Sequence, residues 1–195
     1  MAAAKTHHHG NLREALVEAG IALLSEGGPG ALTLRKAAAR AGVSHAAPAH
    51  HFDGLPGLLA EIALRGFEMF HAHLDQRCRA ETSDDPFAQL MAANSAYVEF
   101  ARCHRALFQL MFVEVEHSTP PLRLAAVRCY GVLQEKCRPL CGDRDPAAFE
   151  SAVWALTHGY VALGMAEPRP NAPAQVPSYE TLLRMLVRPE GEPAR

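Results

Sequence analysis

The sequence predicts an all-α fold, and three observations lead to that prediction. Apolar residues recur at intervals of three and four along most of the chain, which is the spacing of one face of a helix. Glycine and proline clusters separate these stretches, for example at residues 27–30 and 120–121. No segment alternates apolar and polar residues over the length of a strand. The 195 residues suffice for one or two domains with a sizeable core.

Composition narrows the class of protein. Hydrophobic residues make up 49% of the chain and charged residues 21%, with a formal net charge of −2, so any nucleic-acid-binding face has to be local. Five cysteines without framework-like spacing, and no apolar leader stretch, favour a reducing cytoplasmic location. The longest uncharged stretch, residues 151–166, is shorter than the roughly 20 residues that span a bilayer. No membrane partner is therefore expected.

The most informative stretch is residues 33–52, TLRKAAARAGVSHAAPAHHF. Thr33 is suited to cap a short helix, and Gly42 to form a turn, because glycine adopts positive φ without steric cost. Ser44 would then cap a second helix, predicted from residue 45 to about residue 51. Phe52 would anchor that helix to a core. This order predicts a helix-turn-helix, whose second helix enters the major groove of DNA.

Further helices are predicted on both sides of this stretch. Asn11, with Glu14 three residues on, forms a capping-box-like start for a helix that runs to about Ser25. An acidic residue followed by proline predicts two further starts, at residues 85–86 and 145–146. The later helices are predicted at residues 55–79, from 86, at 106–112, 120–137, 147–166 and 178–187. We also predict a proline-rich linker at 168–177 and a disordered tail at 189–195.

Seven short stretches of the sequence resemble a known protein family. They lie at residues 8–13, 15–16, 22–24, 30–35, 38–44, 50–52 and 58–59. In order and without gaps, they resemble the N-terminal domain of the TetR/AcrR family of bacterial transcriptional regulators. Two shorter motifs, LFQLMF at 107–112 and WALTHG at 154–159, resemble the C-terminal domain type named for its Trp-His-Gly motif. The resemblance implies a DNA-binding domain at 1–54 and a helical effector-binding and dimerisation domain at 55–195.

The same resemblance implies a function. It implies a homodimeric transcriptional regulator, in the first instance a repressor, that a small apolar or aromatic effector releases from a palindromic double-stranded DNA operator. Dimerisation would use the last two helices as a four-helix bundle. A ligand-binding dimer that has lost DNA binding, or a metal or thiol sensor, stays open as an alternative. No nucleophile elbow, Gly-rich phosphate loop or His-Glu-x-x-His pair occurs, so neither an enzyme nor a cofactor is expected.

The candidate DNA contacts follow from residue chemistry at the helix-turn-helix positions. Phosphates suit Thr33 and Arg35, a purine edge suits His45, and alanine methyl groups suit the thymine methyl. The predicted set is Thr33, Arg35, Ser44, His45, Ala46, Ala47, Ala49, His50 and His51.

Three positions depart from the family pattern. Ala49 stands where tyrosine is common, Leu55 stands where lysine is common, and Pro48 removes a backbone donor. Tyrosine and lysine at these places usually touch phosphate, and each cationic contact that is missing should flatten the salt dependence by about 0.9 in log–log slope. We expect weak DNA binding, or binding in which His50 and His51 replace these contacts.

The candidate effector contacts are large aromatic and methionine side chains with a few polar anchors. Asn94, Tyr97 and His158 are the polar anchors, although His158 is more readily interpreted as a satisfied core histidine. The histidines and cysteines show no recognisable metal-ligand spacing, so no metal site is predicted. The predicted set is Phe67, Met91, Asn94, Tyr97, Phe100, Phe108, Met111, Phe112, Trp154 and His158.

Overall fold

A computed structural model describes residues 12–115, 119–167 and 176–187. These residues contain eight α-helices and no strand, which confirms the all-α prediction. Within the same ranges, no helix is long and apolar enough to cross a bilayer. The helices are α1 (Leu12–Gly27), α2 (Leu34–Arg40), α3 (Gly54–Ala80), α4 (Pro86–Cys103), α5 (Arg105–Glu114), α6 (Pro120–Cys137), α7 (Pro146–Ala162) and α8 (Tyr179–Val187), with 3-10 turns at Pro29–Ala31, Ala47–His50 and Arg138–Leu140.

Local capping explains where three helices begin. Thr33 Oγ1 accepts a hydrogen bond from the Lys36 amide at 3.2 Å, which starts α2. Asp145 does the same for α7, with its carboxylate 2.8 Å from the Ala148 amide. The Asp85 carboxylate accepts hydrogen bonds from the first amides of α4. These starts are confirmed, whereas the predicted Asn11 cap, the tail at 189–195 and most of the proline-rich linker lie outside the described residues.

The chain divides into two compact units. Unit 1 comprises Met1–Glu68 and His104–Ala125, and unit 2 comprises Met69–Cys103 and Ala126–Arg195. The functional boundary predicted at residue 55 differs from this division by packing, and it stays a prediction.

Unit 1 has a core of aliphatic and aromatic side chains. In it, α1 packs against α2 and α5. A Cβ atom on Gly66 of α3 would lie 2.7 Å from Met111 Cγ of α5, so a larger residue at position 66 would displace the Met111 side chain. Side chains of this core that are no more than 1% exposed include Leu16 and Leu24 from α1, Leu58 and Ile62 from α3, and Leu107 and Met111 from α5.

Unit 2 has a core that contains a hydrogen-bonded polar chain. Asn94 of α4 donates to the Leu90 carbonyl at 2.9 Å and accepts from the Thr157 hydroxyl of α7 at 2.7 Å. The same hydroxyl lies 2.7 Å from the Tyr179 hydroxyl of α8. The chain therefore joins three helices through buried groups that all have partners. Among the described residues, Asn94 and Thr157 are the polar side chains that are buried, and both belong to unit 2.

Arg144 holds the end of α8 within unit 2. Its guanidinium donates to the carbonyl of Leu186 at 3.1 Å and also to that of Leu140. It lies 4.1 Å above the ring of Phe149. Arg144 thus provides partners for helix-terminal carbonyls that have none inside their own helices.

Candidate DNA interface and effector site

Helix α2 buries one face and exposes cations on the other. Ala37 and Ala38 are fully buried, which turns Arg35 and Lys36 outward. Neither Arg35 nor Lys36 takes part in an ion pair among the residues that the structure describes. They are therefore available to an external anion. Lys36 was absent from the predicted contacts, although its place beside Arg35 could have indicated it.

Arg40, the third cation of α2, is already engaged. Its guanidinium forms two hydrogen bonds to the Glu26 carboxylate of α1, at 2.5 and 2.6 Å. The hydrogen bond from Arg40 lowers the pKa of the Glu26 carboxyl. Arg40 therefore serves to join two helices, and it differs from Arg35 in this respect.

The second helix of the predicted helix-turn-helix is a 3-10 helix, Ala47–His50, which is shorter than the helix predicted from residue 45 to about residue 51. Its hydrogen bonds span three residues, as from the Ala49 amide to the Ala46 carbonyl at 3.2 Å. Ala46 precedes the turn and no side chain caps it, so the predicted Ser44 cap is wrong. The physical reason is Pro48, which has no N–H to donate to the Ser44 carbonyl four residues back.

Residues 44–51, which we call the 44–51 segment, nevertheless pack against the rest of unit 1. Gly42 enters it with φ of 70°, as predicted for the turn. Pro48 is buried, and the ring of Phe52, 6% exposed, anchors its far end as predicted. The outward residues of the segment are Ser44, His45, Ala46, Ala49 and His50, which are exposed, with Ala47 and His51 half-buried.

All nine predicted DNA contacts therefore lie in unit 1, on α2 and its cap or on the 44–51 segment, which packs against α2. No lysine or arginine occurs in residues 41–64. Histidines 45, 50 and 51 are thus the side chains of that stretch that can carry a positive charge.

Four predicted effector contacts form an aromatic cluster in unit 1. The rings of Phe67 and Phe112 are 5.8 Å apart and those of Phe108 and Phe112 are 4.8 Å apart. Met111 lies next to them against Gly66. Edge-on and tilted ring contacts of this kind stabilise a packed core.

Four more predicted contacts form a second cluster, in unit 2. The Tyr97 hydroxyl and His158 Nδ1 are 2.8 Å apart, and the rings of Trp154 and His158 are 5.7 Å apart. Tyr97 and Phe100 both contact the ring of Phe70, at 5.1 and 5.0 Å. Phe70 was missing from the predicted set, and its place in the apolar stripe of α3 was the available indication.

Burial sets the protonation of this second cluster. It raises the pKa of the Tyr97 hydroxyl, an effect that a hydrogen bond from Trp154 partly offsets. Burial also lowers the pKa of His158, because the imidazolium would lose its hydration. A neutral His158 with a hydrogen bond to Tyr97 is the form that this environment favours.

Asn94 and Met91, the remaining two predicted effector contacts of unit 2, lie outside this second cluster. Asn94 belongs to the buried polar chain, and Met91 lines a groove of about 430 Å³. That groove also includes Phe87, Arg77 and Arg184, and the Arg184 guanidinium lies 4.1 Å above the Phe87 ring. The ten candidates thus occupy separate places, four in unit 1 and six in unit 2.

None of the five cysteines, all of which lie among the described residues, forms a disulfide. Burial raises the pKa of Cys129 and of Cys137 to about 12, which keeps both as unreactive thiols. Among the described residues, no three or more His, Cys, Asp or Glu side chains are grouped to hold a metal ion.

A helical protein with a short helix-turn-helix region, exposed cations beside it and a separate helical core has the organisation of a bacterial transcriptional regulator. The family model for bacterial regulatory proteins of the tetR family matches residues 16–62. The model for the tetracyclin repressor-like C-terminal domain matches residues 90–186, which include both shorter motifs. The chain belongs to the TetR family of transcriptional regulators. Members of this family bind DNA, typically dimerise and bind small effectors, and are generally not enzymes.

Solved structures share the fold. A protein of unknown function from Rhodococcus sp. RHA1 is 28% identical, with a TM-score of 0.75 over 94% of this chain and 95% of that one. A transcriptional regulator from Rhodococcus sp. Rha1 is 22% identical, with a TM-score of 0.66 over 90% and 93% of the two chains. The TetR family regulator PfmR from Thermus thermophilus is also 22% identical, with a TM-score of 0.59 over 88% and 94%. No curated protein matches the chain.

Proposed function

We propose that this regulator is a homodimeric repressor that binds a palindromic operator through α2 and the 44–51 segment. A small apolar or aromatic effector releases it. The observation that carries the proposal is the pair of exposed cations, Arg35 and Lys36, on the helix that adjoins the 44–51 segment.

The two parts of this surface have different tasks in the proposal. Thr33, Arg35 and Lys36 bind phosphates, which sets the position of the protein on the duplex. Within the 44–51 segment, His45 and Ala46 face the base edges, where His45 binds a purine and Ala46 contacts a thymine methyl. A buried Pro48 and Phe52 keep this short segment in one conformation, so its side chains are preorganised for contact.

Exposed apolar side chains on and beside the last two helices support the dimer. Trp154 of α7 is 40% exposed, Leu163 just after α7 is 63% exposed, and Met185 of α8 is 67% exposed. In the proposed dimer, the partner subunit covers these side chains, because contiguous exposed apolar surface is a mark of protein–protein contact. A two-fold dimer places two copies of the 44–51 segment on the two half-sites of a palindrome.

The aromatic cluster around Tyr97 and His158 is the proposed effector-binding region of unit 2. It combines apolar rings with two polar groups that can change partner when a ligand enters. Ligand binding there would favour a state of the dimer with lower operator affinity, and the ratio of affinities sets the coupling free energy.

Operator binding across a salt series tests the proposal. The purified protein should bind DNA from upstream of its own gene more tightly than random DNA, and less tightly as salt rises. Arg35→Ala should flatten the log–log salt slope by about 0.9, because it removes one cationic group from the phosphates. Arg40→Ala is the matched control, because that guanidinium is paired with Glu26, and it should leave the slope unchanged.

Two outcomes of these measurements would contradict the proposal. If genome-wide selection finds no DNA that the protein prefers to random sequence, the repressor proposal is wrong and a ligand-binding dimer without DNA binding replaces it. If Arg40→Ala flattens the slope as much as Arg35→Ala, the assigned phosphate-binding surface is wrong. The single Trp154 gives a separate test of the dimer, since its emission should shift to longer wavelength on dilution to the monomer.

A further inference from the structure

We infer that the 44–51 segment acquires its cationic contacts to DNA by protonation of its histidines, so that operator affinity rises as pH falls through the range in which histidine titrates. The inference rests on the proposed DNA-binding function and adds a means of regulation to it.

The charge distribution of the helix-turn-helix region is the first observation. Residues 41–64 contain no lysine or arginine, and they include three histidines, His45, His50 and His51. His45 and His50 are exposed and His51 is half-buried. Any cationic contact from this stretch to DNA therefore requires a protonated histidine.

Charged side chains lie on the same loop as these histidines and on the adjoining helix α2. On the same loop, Asp53 follows His51 by two residues, and it is exposed. On α2, Arg35 and Lys36 carry permanent charges and have no ion-pair partner among the described residues. They supply a contribution to phosphate binding that does not depend on pH near neutrality.

The charges on the other adjoining helices are already paired. Arg40 of α2 is bonded to Glu26 of α1. Arg13 of α1 is bonded to Glu61 of α3 at 2.8 Å, and its guanidinium lies 5.6 Å above the Phe52 ring. None of these four groups is left to neutralise an imidazolium of the 44–51 segment or to replace it on a phosphate.

Proton linkage then gives the direction of the effect. A phosphate close to an imidazole favours the charged form, so the DNA-bound protein takes up protons that the free protein has not yet bound. Histidine titrates ordinarily near pH 6.5. Lowering the pH through this value therefore increases affinity, and each histidine that becomes a phosphate contact adds about 0.9 to the salt slope.

The experiment measures operator affinity of the full-length dimer at about pH 6 and about pH 8, each across a salt series. We expect binding on the order of tenfold tighter at the lower pH, with a slope steeper by at least about 0.9. Replacing all three histidines, His45→Gln with His50→Gln and His51→Gln, should remove the pH dependence. The double variant His50→Lys with His51→Lys should bind at pH 8 as tightly as the parent protein binds at pH 6.

His71→Gln is the matched control, because His71 lies on α3 in unit 2, and it should retain the full pH dependence. Selective operator binding with equal affinity at both pH values would overturn this inference and leave the repressor proposal intact. A pH dependence that survives in the triple glutamine variant would overturn it as well. Absence of selective binding at both pH values would instead overturn both proposals.

Discussion

The cores of the two units differ in chemistry. The core of unit 1 is built from aliphatic and aromatic side chains, with Leu58 and Ile62 fully buried at its centre. The core of unit 2 contains the polar chain Asn94–Thr157–Tyr179, whose members hydrogen-bond to one another. Apolar contacts have no preferred direction, whereas a hydrogen-bonded chain is satisfied only when donors and acceptors keep their distances and angles. Unit 2, to which we assign effector binding, is therefore the unit in which a small displacement breaks specific interactions.

The largest expected effect comes from creating a cavity in unit 1. Leu58→Ala removes a side chain that is 0% exposed, and we expect the free energy of unfolding to fall by about 2–5 kcal/mol. Leu124→Ala, at a leucine of the same unit that is 53% exposed, should change it by less than about 0.5 kcal/mol. Chemical denaturation at a fixed protein concentration measures both, since dimerisation makes stability depend on concentration. Equal losses in the two variants would contradict the assignment of Leu58 to the core.

The polar chain of unit 2 should show a smaller but specific cost. Thr157→Val keeps the shape of the side chain but removes the donor to Asn94 and the partner of the Tyr179 hydroxyl. We expect a loss of about 1–3 kcal/mol in the free energy of unfolding, because buried polar groups are left unsatisfied. In a double-mutant cycle with Tyr179→Phe, the losses should be non-additive. Strict additivity would mean that the two hydroxyls do not interact.

The helix cap of α2 should contribute about 1 kcal/mol. Thr33→Ala removes the oxygen that accepts a hydrogen bond from the Lys36 amide, whereas Thr33→Ser retains it. Thermal or chemical unfolding of unit 1 should therefore separate the two variants, with serine close to the parent protein. An alanine variant as stable as the serine variant would show that the cap makes no contribution.

The smallest effect is a pH dependence of stability in unit 2. Burial lowers the pKa of His158 in the folded protein, so the unfolded chain binds a proton more readily as the pH falls below histidine's ordinary value near 6.5. Stability should therefore decline with acidification, and His158→Gln should reduce that decline. His71→Gln serves as the control and should decline like the parent protein. Acidification thus acts in opposite directions on the two regions, since it should strengthen operator binding by the 44–51 segment.

In the helix-turn-helix region, the sequence predicted some local features correctly and others incorrectly. The cap at Thr33, the turn at Gly42 and the anchor at Phe52 were predicted correctly, because each depends on the residue itself and its near neighbours. The length of the second helix and its cap at Ser44 were not, because Pro48 has no N–H to donate and the segment forms a 3-10 helix over Ala47–His50. The assigned DNA and effector contacts stay predictions.

The sequence by itself determined the all-α class, the bounds of most helices and the family, because periodicity, capping residues and Gly and Pro breaks act over a few residues. Only the tertiary structure decided which side chains meet. Asn94 and Thr157 are 63 residues apart in the chain, and Tyr97 and His158 are 61 apart, yet the polar atoms of each pair lie 2.7 and 2.8 Å from one another. It also divided the effector candidates between two units. Such contacts depend on how whole helices pack, and no local pattern specifies that.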